Sequence, residues 1–134
     1  MNSAIEIHDS YLTSISKEGD ALAVHLSAYI HKSDGKPATD VGTGWTQDVV
    51  FLVGHGIVEG SISDWPAELY DGALGVDGEV SENIISIPLD RKGAVELTLK
   101  PTSDNPIIVR GDSVRLELQG IPEYVESFPG TTNA

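Results

Sequence analysis

Ser113-Val114-Arg115-Leu116-Glu117-Leu118-Gln119 alternates polar and apolar side chains without interruption. Successive side chains of a β-strand point to opposite faces, so this stretch predicts a strand with one buried and one solvated face. Residues 94–100 and 22–28 repeat the pattern. The three segments together predict an antiparallel β protein.

The spacing of turn residues predicts how many strands accompany these three. The chain of 134 residues contains 14 glycines and 7 prolines, distributed at short intervals, as in short strands joined by tight turns. Strands are predicted at 11–17, 21–32, 45–53, 56–63, 73–76, 82–89, 94–100, 107–110 and 113–119. Eight or nine short strands must bury a shared apolar face, which favours an all-β, antiparallel two-sheet sandwich, with a barrel as the alternative.

We expect residues 1–130 to form a single β domain. Its last part, 121–130, is expected to be extended because of Pro122 and Pro129, and 131–134 to be a frayed tail. At most one short helical turn is expected, within 63–70. The predicted core consists of Leu22, Val24, Leu26, Ile30, Val50, Leu52, Ile85, Ile87, Val95, Leu97, Leu99, Val114, Leu116 and Leu118.

Composition excludes several classes of function and location. The chain has no cysteine, which excludes disulfides, thiolate catalysis and cysteine zinc sites. Its longest apolar run, 49–53, is far shorter than the roughly 20 residues that cross a bilayer. Because the N-terminus has no basic region followed by an apolar stretch, it does not resemble a signal peptide, and we expect a cytoplasmic location.

The charge balance is strongly acidic, with 8 basic and 21 acidic residues and a net charge of −13. Nucleic-acid affinity comes largely from cationic groups, so nucleic acids and anionic membranes are poor partners for this chain. The acidity has two interpretations: it keeps the protein soluble, or it provides an acidic face for a basic protein partner.

Histidines are the residues that most resemble a site. His55 stands between two glycines, which let a ligand approach closely, although a sheet bend with an exposed histidine explains the same pattern. His25 and His31 share one face of a predicted strand with Ser27 and Tyr29, and we expect that face to be solvated. These two imidazoles would lie roughly 20 Å apart, too far for one metal ion.

The stretch His8-Asp9-Ser10 contains the three residue types of a hydrolytic triad. Neighbours in an extended chain point in opposite directions, so we expect no triad here. Asp9 or Ser10 is expected to satisfy backbone donors instead. The sequence predicts no catalytic residue, no metal ligand and no cofactor.

Short motifs along the chain resemble a known group of proteins. They are Ile7–Leu12, Trp65-Pro66 to Asp71-Gly72, Ile87-Pro88-Leu89, Arg110-Gly111 and Tyr124–Pro129. In these motifs the chain resembles small bacterial β-rich families of uncharacterised function that begin with a His-Asp-Ser motif, some labelled as immunity proteins of toxin systems. The resemblance implies a bacterial, cytoplasmic β domain and carries over no catalytic residue.

The first hypothesis for function is a non-enzymatic, acidic protein-interaction module, immunity-like in one version. It binds a protein partner, or self-associates through 121–129. The residues expected to contact a ligand or partner are His55, Trp45, Trp65, Tyr124 and Phe128.

Two alternatives remain open. One is a metal- or histidine-dependent hydrolase that uses His55 with Asp48 or Asp64. The other is a sugar-binding module whose platform is built from the aromatic residues Trp45, Trp65, Tyr29 and Tyr70; packing in the core and at sheet edges also explains these aromatics.

Overall fold

A computed structural model describes residues 1–131 of the chain, and within them the protein is all-β. Within this range the nine strands are β1 (Asn2–Glu18), β2 (Ala21–Ser33), β3 (Gly42–Gly54), β4 (Ile57–Glu59), β5 (Ala67–Val76), β6 (Glu79–Glu82), β7 (Ile84–Ile87), β8 (Asp90–Pro101) and β9 (Ile107–Phe128). Among residues 1–131 there is no helix of the length and apolarity needed to span a membrane.

All strand pairs are antiparallel, in the order β6-β5-β8-β9-β3-β2-β1-β7, with β4 beside β9. The path folds over so that β7-β1-β2-β3 and β6-β5-β8 face each other across one core. β9 belongs to both layers: it pairs with β8 from Ile107 to Arg115 and with β3 from Ser113 to Phe128. A short pairing of β1 with β5 also joins the layers. The predicted antiparallel, sandwich-like all-β fold is confirmed.

The core is a single cluster with contributions from both layers, such as Ile5, Phe51, Leu69 and Leu97. Nine of the predicted core residues are buried: Val24, Leu26, Ile30, Val50, Ile85, Val95, Leu97, Leu99 and Val114. Four others are half-buried: Leu22, Leu52, Ile87 and Leu116.

The prediction for Leu118 is wrong, because its exposed fraction is 48 %. β8 pairs with β9 only as far as Arg115, so Leu118 lies on a sheet edge with one neighbouring strand instead of two. The segment keeps its alternating pattern, but within residues 1–131 no second strand pairs with β9 beyond Arg115.

Residues 63–70 form no helical turn. Residues 63–66 are a bend, and β5 starts at Ala67. Ala67 and Leu69 are buried, whereas Glu68 and Tyr70 between and after them are exposed, which is the period of a strand.

The N-terminal half of β1 is a strand that the sequence-based prediction missed. Residues 3–6 pair with both β2 and β7, and Ile5 and Ile7 are completely buried. The polar residues that follow belong to an irregularity in β1, where Glu6 pairs with Tyr29 and the next pair is Tyr11 with Ser27. This bulge interrupts the alternation and hides the strand before it.

The C-terminal segment is extended, as predicted, and lies on its own domain. Residues 123–128 pair with 42–46 of β3. Thr131, the first residue of the predicted frayed tail, donates its backbone N–H to the Thr39 carbonyl at 2.9 Å. The rest of that tail, 132–134, lies outside the described residues.

Candidate functional site

The largest group of exposed apolar side chains on one strand lies in the second half of β9. We call Leu118, Ile121, Tyr124 and Val125 the β9 ledge; their exposed fractions are 48, 87, 56 and 47 %. A single exposed apolar residue is ordinary, whereas four within residues 118–125 of one strand form a group of the kind found at interaction sites.

The ledge is the continuation of the core row of β9. Leu116 pairs with Phe51 and Leu118 with Val49, and both of these partners are fully buried. Burial then declines along the row, from Val114 at 1 % exposed to Leu118 at 48 %. An apolar row that continues past its covered part leaves surface that another molecule can bury.

A bulge shapes the middle of the ledge. Gln119 pairs with Asp48 and Glu123 with Thr46, so Gly120, Ile121 and Pro122 together lie opposite Gln47 alone. Gly120 takes a φ of +69°, which glycine adopts without strain, and its carbonyl accepts a hydrogen bond from the Gln47 side chain at 3.2 Å. The bulge holds Ile121 out into solvent.

The ledge also has a free backbone edge. Among residues 1–131, the stretch 117–128 pairs with β3 on one side and with no strand on the other. The outermost strands β6 and β7 have only 4 residues each, and β4 has 3. An unpaired strand edge offers N–H and C=O groups to an added strand.

Contacts on the other face hold this part of β9 in place. The Tyr29 hydroxyl donates a hydrogen bond to Glu126 Oε1 at 2.7 Å. The His31 ring lies between the rings of Tyr29 and Phe128, with centroids 4.9 Å from each. Burial raises the pKa of Tyr29 above its usual value, and the Glu126 carboxylate beside it raises this pKa further.

These contacts correct the expectation of a solvated face on β2. Tyr29 is 8 % exposed and His31 4 % exposed, because the neighbouring strands and the end of β9 cover them. Only the half-buried His25 and Ser27 of that face are partly accessible.

Trp45 and Tyr124, two of the predicted contact residues, pack against each other. Their rings meet edge to face at a centroid distance of 5.4 Å, and the Lys32 ammonium lies 4.7 Å from the Trp45 ring centroid. The Trp45 indole N–H donates to Thr43 Oγ1 at 2.8 Å. Tyr124 is therefore a supported aromatic group on the ledge.

The other predicted contact residues are divided between two regions. Phe128 is half-buried against His31, close to the ledge. Trp65 is 44 % exposed in the bend before β5. His55 lies ten positions beyond Trp45, just past the far end of β3, and so roughly 30 Å away.

His55 has an acidic partner other than the predicted Asp48 or Asp64. Its Nδ1 lies 2.8 Å from Asp112 Oδ2, and the two side chains are 71 and 65 % exposed. Asp48 is not near His55, because it pairs with Ser27 and Gln119 in the middle of the sheet, six residues along β3 from Gly54.

His55 lies in a bend between β3 and β4. Its φ is +50°, and after the bend β4 continues along β9. The sheet bend with an exposed histidine that the Gly-His-Gly pattern allowed is therefore present, and the chain bends without leaving its neighbour strand β9.

The four aromatics of the sugar-binding alternative do not share one face. Trp45 pairs with Ile30 and Tyr29 with Thr46. Adjacent residues of a strand point to opposite faces, so the side chains of Tyr29 and Trp45 lie on opposite sides of the sheet. One platform cannot contain both rings.

A second polar cluster, which the sequence-based prediction missed, surrounds Glu6 at the β1 bulge. Glu6 Oε2 lies 2.9 Å from Nε2 of the buried His31. The side chains of Glu6, His8 and Asp9 place one potential ligand atom each within 4.8 Å of the others. The signal in the sequence was the His-Asp pair itself, but a strand with regular alternation would have separated the two side chains.

Ser10 completes the bulge in a structural role. It is fully buried, its Oγ accepts the Tyr29 backbone N–H at 3.0 Å, and its hydroxyl donates to the Glu6 carbonyl at 2.6 Å. The expectation that Asp9 or Ser10 satisfies backbone donors is confirmed for Ser10. Because both hydrogen-bonding functions of Ser10 are occupied by the backbone, it is not positioned as a nucleophile.

The outer face of β5, β8 and β9 contains a cavity of about 470 Å³. Glu96 and Arg110 are the charged residues in its lining, and Arg110 also forms an ion pair with Glu59. The charged side chains that line the cavity are therefore already paired with each other.

No protein-family model, curated protein or solved structure matches this chain with significant similarity.

Proposed function

We propose that this chain is a non-enzymatic, acidic protein-interaction module that binds a basic, extended segment of a partner protein along the β9 ledge. The observation that supports this proposal most directly is the exposed apolar row of β9, which continues from the core past the last residue paired with β8. A partner strand would complete the sheet at this point and bury the row.

The composition of the ledge favours protein binding. Aromatic anchors on a rigid support contribute most to binding energy, and aliphatic neighbours exclude water around them. Tyr124 packs on Trp45, and Leu118, Ile121 and Val125 are exposed apolar side chains on the same stretch of β9.

The backbone provides the second part of the recognition. The stretch 123–128 is held from behind by β3, by Tyr29 and by His31, and its outer edge is unpaired among residues 1–131. An extended peptide that adds a strand to such an edge gains main-chain hydrogen bonds, and its alternate side chains give specificity. The bulge at Gly120 limits the added strand to a short length.

The negative charge around the ledge favours a basic partner segment over a second copy of this chain. Residues 116–131 include Glu117, Glu123 and Glu126 and no lysine or arginine; Arg115 pairs with Glu117, so Glu123 and Glu126 carry the local negative charge, and the whole chain carries −13. A second copy would bring the same carboxylates to the edge, so self-association through 121–129 is disfavoured. A segment rich in lysine or arginine is attracted both by the carboxylates near the strand edge and by the net negative charge of the chain.

The resemblance described in the sequence analysis suggests the kind of partner and the cellular location that we propose. A bacterial, cytoplasmic protein with the resemblance described above would use the ledge to inhibit a basic toxin, as an immunity protein does. The same negative field opposes nucleic acids and anionic membranes as partners.

The proposal is tested with a synthetic peptide of alternating lysine and valine and with its glutamate–valine counterpart. Fluorescence anisotropy should detect saturable binding of the lysine peptide that weakens as salt is added. Leu118→Ser should weaken this binding about fivefold or more, the effect of losing about 1 kcal/mol. Ile57→Ser is the matched control, since Ile57 is 71 % exposed on β4, away from the ledge.

Three results would overturn the proposal. The first is equal binding of both peptides, or no binding of either. The second is an equal loss of affinity in Leu118→Ser and Ile57→Ser. The third is a wild-type dimer, found by sedimentation equilibrium, that Ile121→Asp dissociates, because a second copy would then be what covers the ledge.

A further inference from the structure

The β1 bulge brings one imidazole and two carboxylates together. The potential ligand atoms of Glu6, His8 and Asp9 all lie within 4.8 Å of one another, and the side chains of His8 and Asp9 are 55 and 57 % exposed. We propose that these three residues bind a divalent transition-metal cation of the Zn²⁺ type. The proposal does not rest on the function proposed for the β9 ledge, although His31 contacts both Glu6 and Phe128 of β9.

The backbone conformation makes the pair of adjacent ligands possible. Asp9 has a φ of +77°, which turns the chain out of the extended conformation. Its Oδ2 therefore lies 3.5 Å from His8 Nδ1. Two ligand atoms bonded to zinc at about 2.1 Å in tetrahedral geometry lie about 3.4 Å apart, so this pair already has the required separation.

Glu6, the third ligand, is oriented by a buried histidine. His31 is 4 % exposed, and its Nε2 lies 2.9 Å from Glu6 Oε2. Because an ionised carboxylate only accepts hydrogen bonds, Nε2 is the donor and holds one oxygen of Glu6. The other oxygen is left for the cation, as in metal sites whose ligands are fixed by an outer hydrogen bond.

His31 also has a buried nitrogen with no hydrogen-bond partner. Its Nδ1 is buried and contacts no donor or acceptor among residues 1–131. A buried polar atom left without a partner is costly. Edge-to-face contacts with Tyr29 and Phe128 hold the ring in this position, and its one hydrogen bond is made to the Glu6 carboxylate.

Further hydrogen bonds fix the bulge on its other side. The His8 backbone N–H donates to Asn83 Oδ1 and the Ile7 N–H to the Asn83 carbonyl, both at 2.8 Å. The ligands are therefore carried by a restrained backbone, which reduces the entropy lost on binding.

The ligand set selects the class of cation. Imidazole nitrogen with carboxylate oxygen suits zinc and its first-row neighbours, whereas calcium and magnesium prefer ligands that are all oxygen. A divalent cation would neutralise the two carboxylates, and the solvent-exposed side leaves room for water as the remaining ligand.

The test is isothermal titration of the full chain with ZnCl₂, together with the visible spectrum of the CoCl₂-loaded protein. We expect saturable binding of one ion per chain, weakened at least about tenfold by His8→Ala and by Asp9→Asn. His55→Ala is the control, because it removes the other exposed histidine–carboxylate pair, His55 with Asp112. Equimolar CaCl₂ or MgCl₂ should not displace the zinc.

Wild-type protein that binds no Zn²⁺ at millimolar concentration would overturn the assignment. Equal affinity in wild type and His8→Ala would overturn it as well, as would a loss confined to His55→Ala. Circular dichroism checks that His8→Ala is folded, and Asp9→Asn, which preserves the shape of the side chain, provides the second test.

Discussion

The Tyr29 hydroxyl reaches across β3 to donate a hydrogen bond to Glu126 Oε1 at 2.7 Å, between residues 97 positions apart in the chain. Gly44 of β3 lies beneath the phenol, and a Cβ at that position would overlap the Tyr29 hydroxyl oxygen. A glycine on the middle strand thus allows a side chain of β2 to hold the end of β9, the segment that carries the ledge.

Tyr29→Phe removes the hydroxyl and leaves the ring in place. Because the acceptor is a carboxylate on a partly buried face, we expect the free energy of unfolding to fall by about 1 kcal/mol. Urea denaturation followed by tyrosine and tryptophan fluorescence measures the change. Tyr70→Phe is the control, since Tyr70 is 51 % exposed, and it should leave the midpoint unchanged. Equal effects of the two substitutions would show that the bond to Glu126 contributes nothing.

Alkaline pH should reveal the same contact. Burial, and then the Glu126 carboxylate, raise the pKa of Tyr29 in the folded state above its ordinary value of about 10. Between that value and the raised one, the unfolded chain loses this proton and the folded chain retains it. The contribution of Tyr29 is therefore complete below about pH 10 and declines as the pH rises above it.

The measurement is urea denaturation at pH 9 and at pH 11 for wild type and Tyr29→Phe. Stability of the wild type should fall more steeply over this interval than stability of the variant, because the variant has no proton at position 29 to lose. Parallel slopes for the two proteins would exclude a raised pKa at this site.

Gly44→Ala tests whether the space above Gly44 is needed for the Tyr29 ring to cross β3 and reach Glu126. The new methyl group would occupy the position of the Tyr29 hydroxyl, so the ring must move and lose its bond to Glu126. We expect a loss of about 1–3 kcal/mol in the free energy of unfolding, and faster amide hydrogen exchange in 123–128. Gly75→Ala is the matched control, because its Cβ would meet its nearest neighbour at 3.6 Å, an ordinary contact. Unchanged exchange in 123–128 of Gly44→Ala would contradict the role given to the phenol.

Alternation of apolar and polar residues predicted much of the fold and little of the candidate sites. Val95, Leu97 and Leu99 are buried as predicted, because both neighbours of β8 continue alongside them. Leu118 has the same pattern but is exposed, since a strand's own sequence does not state where its neighbour ends. The ledge arises because β9 continues to Phe128 whereas its pairing with β8 ends at Arg115. This difference depends on how the strands pair and cannot be read from the sequence of β9 alone.

The polar clusters were hidden for a related reason. The alternation of β2 predicts a solvated face for Tyr29 and His31, but residues nearly 100 positions later cover them. A regular strand would point His8 and Asp9 to opposite faces, but the φ of +77° at Asp9 brings the two side chains together. Irregular backbone of this kind has no signature in a hydrophobicity pattern.

Ser10→Ala tests whether the bulge of β1 depends on its one buried hydroxyl. Ser10 Oγ accepts the Tyr29 backbone N–H and donates to the Glu6 carbonyl, so alanine leaves a buried donor and a buried acceptor without partners. Losing one partner of a buried polar group costs about 1–3 kcal/mol, and we expect a decrease in the free energy of unfolding within that range. Ser16→Ala is the control, because Ser16 is exposed farther along the same strand and should change stability by less than about 0.5 kcal/mol. If Ser10→Ala is as stable as Ser16→Ala, the backbone alone maintains the bulge, and the buried hydroxyl has no part in placing Glu6, His8 and Asp9.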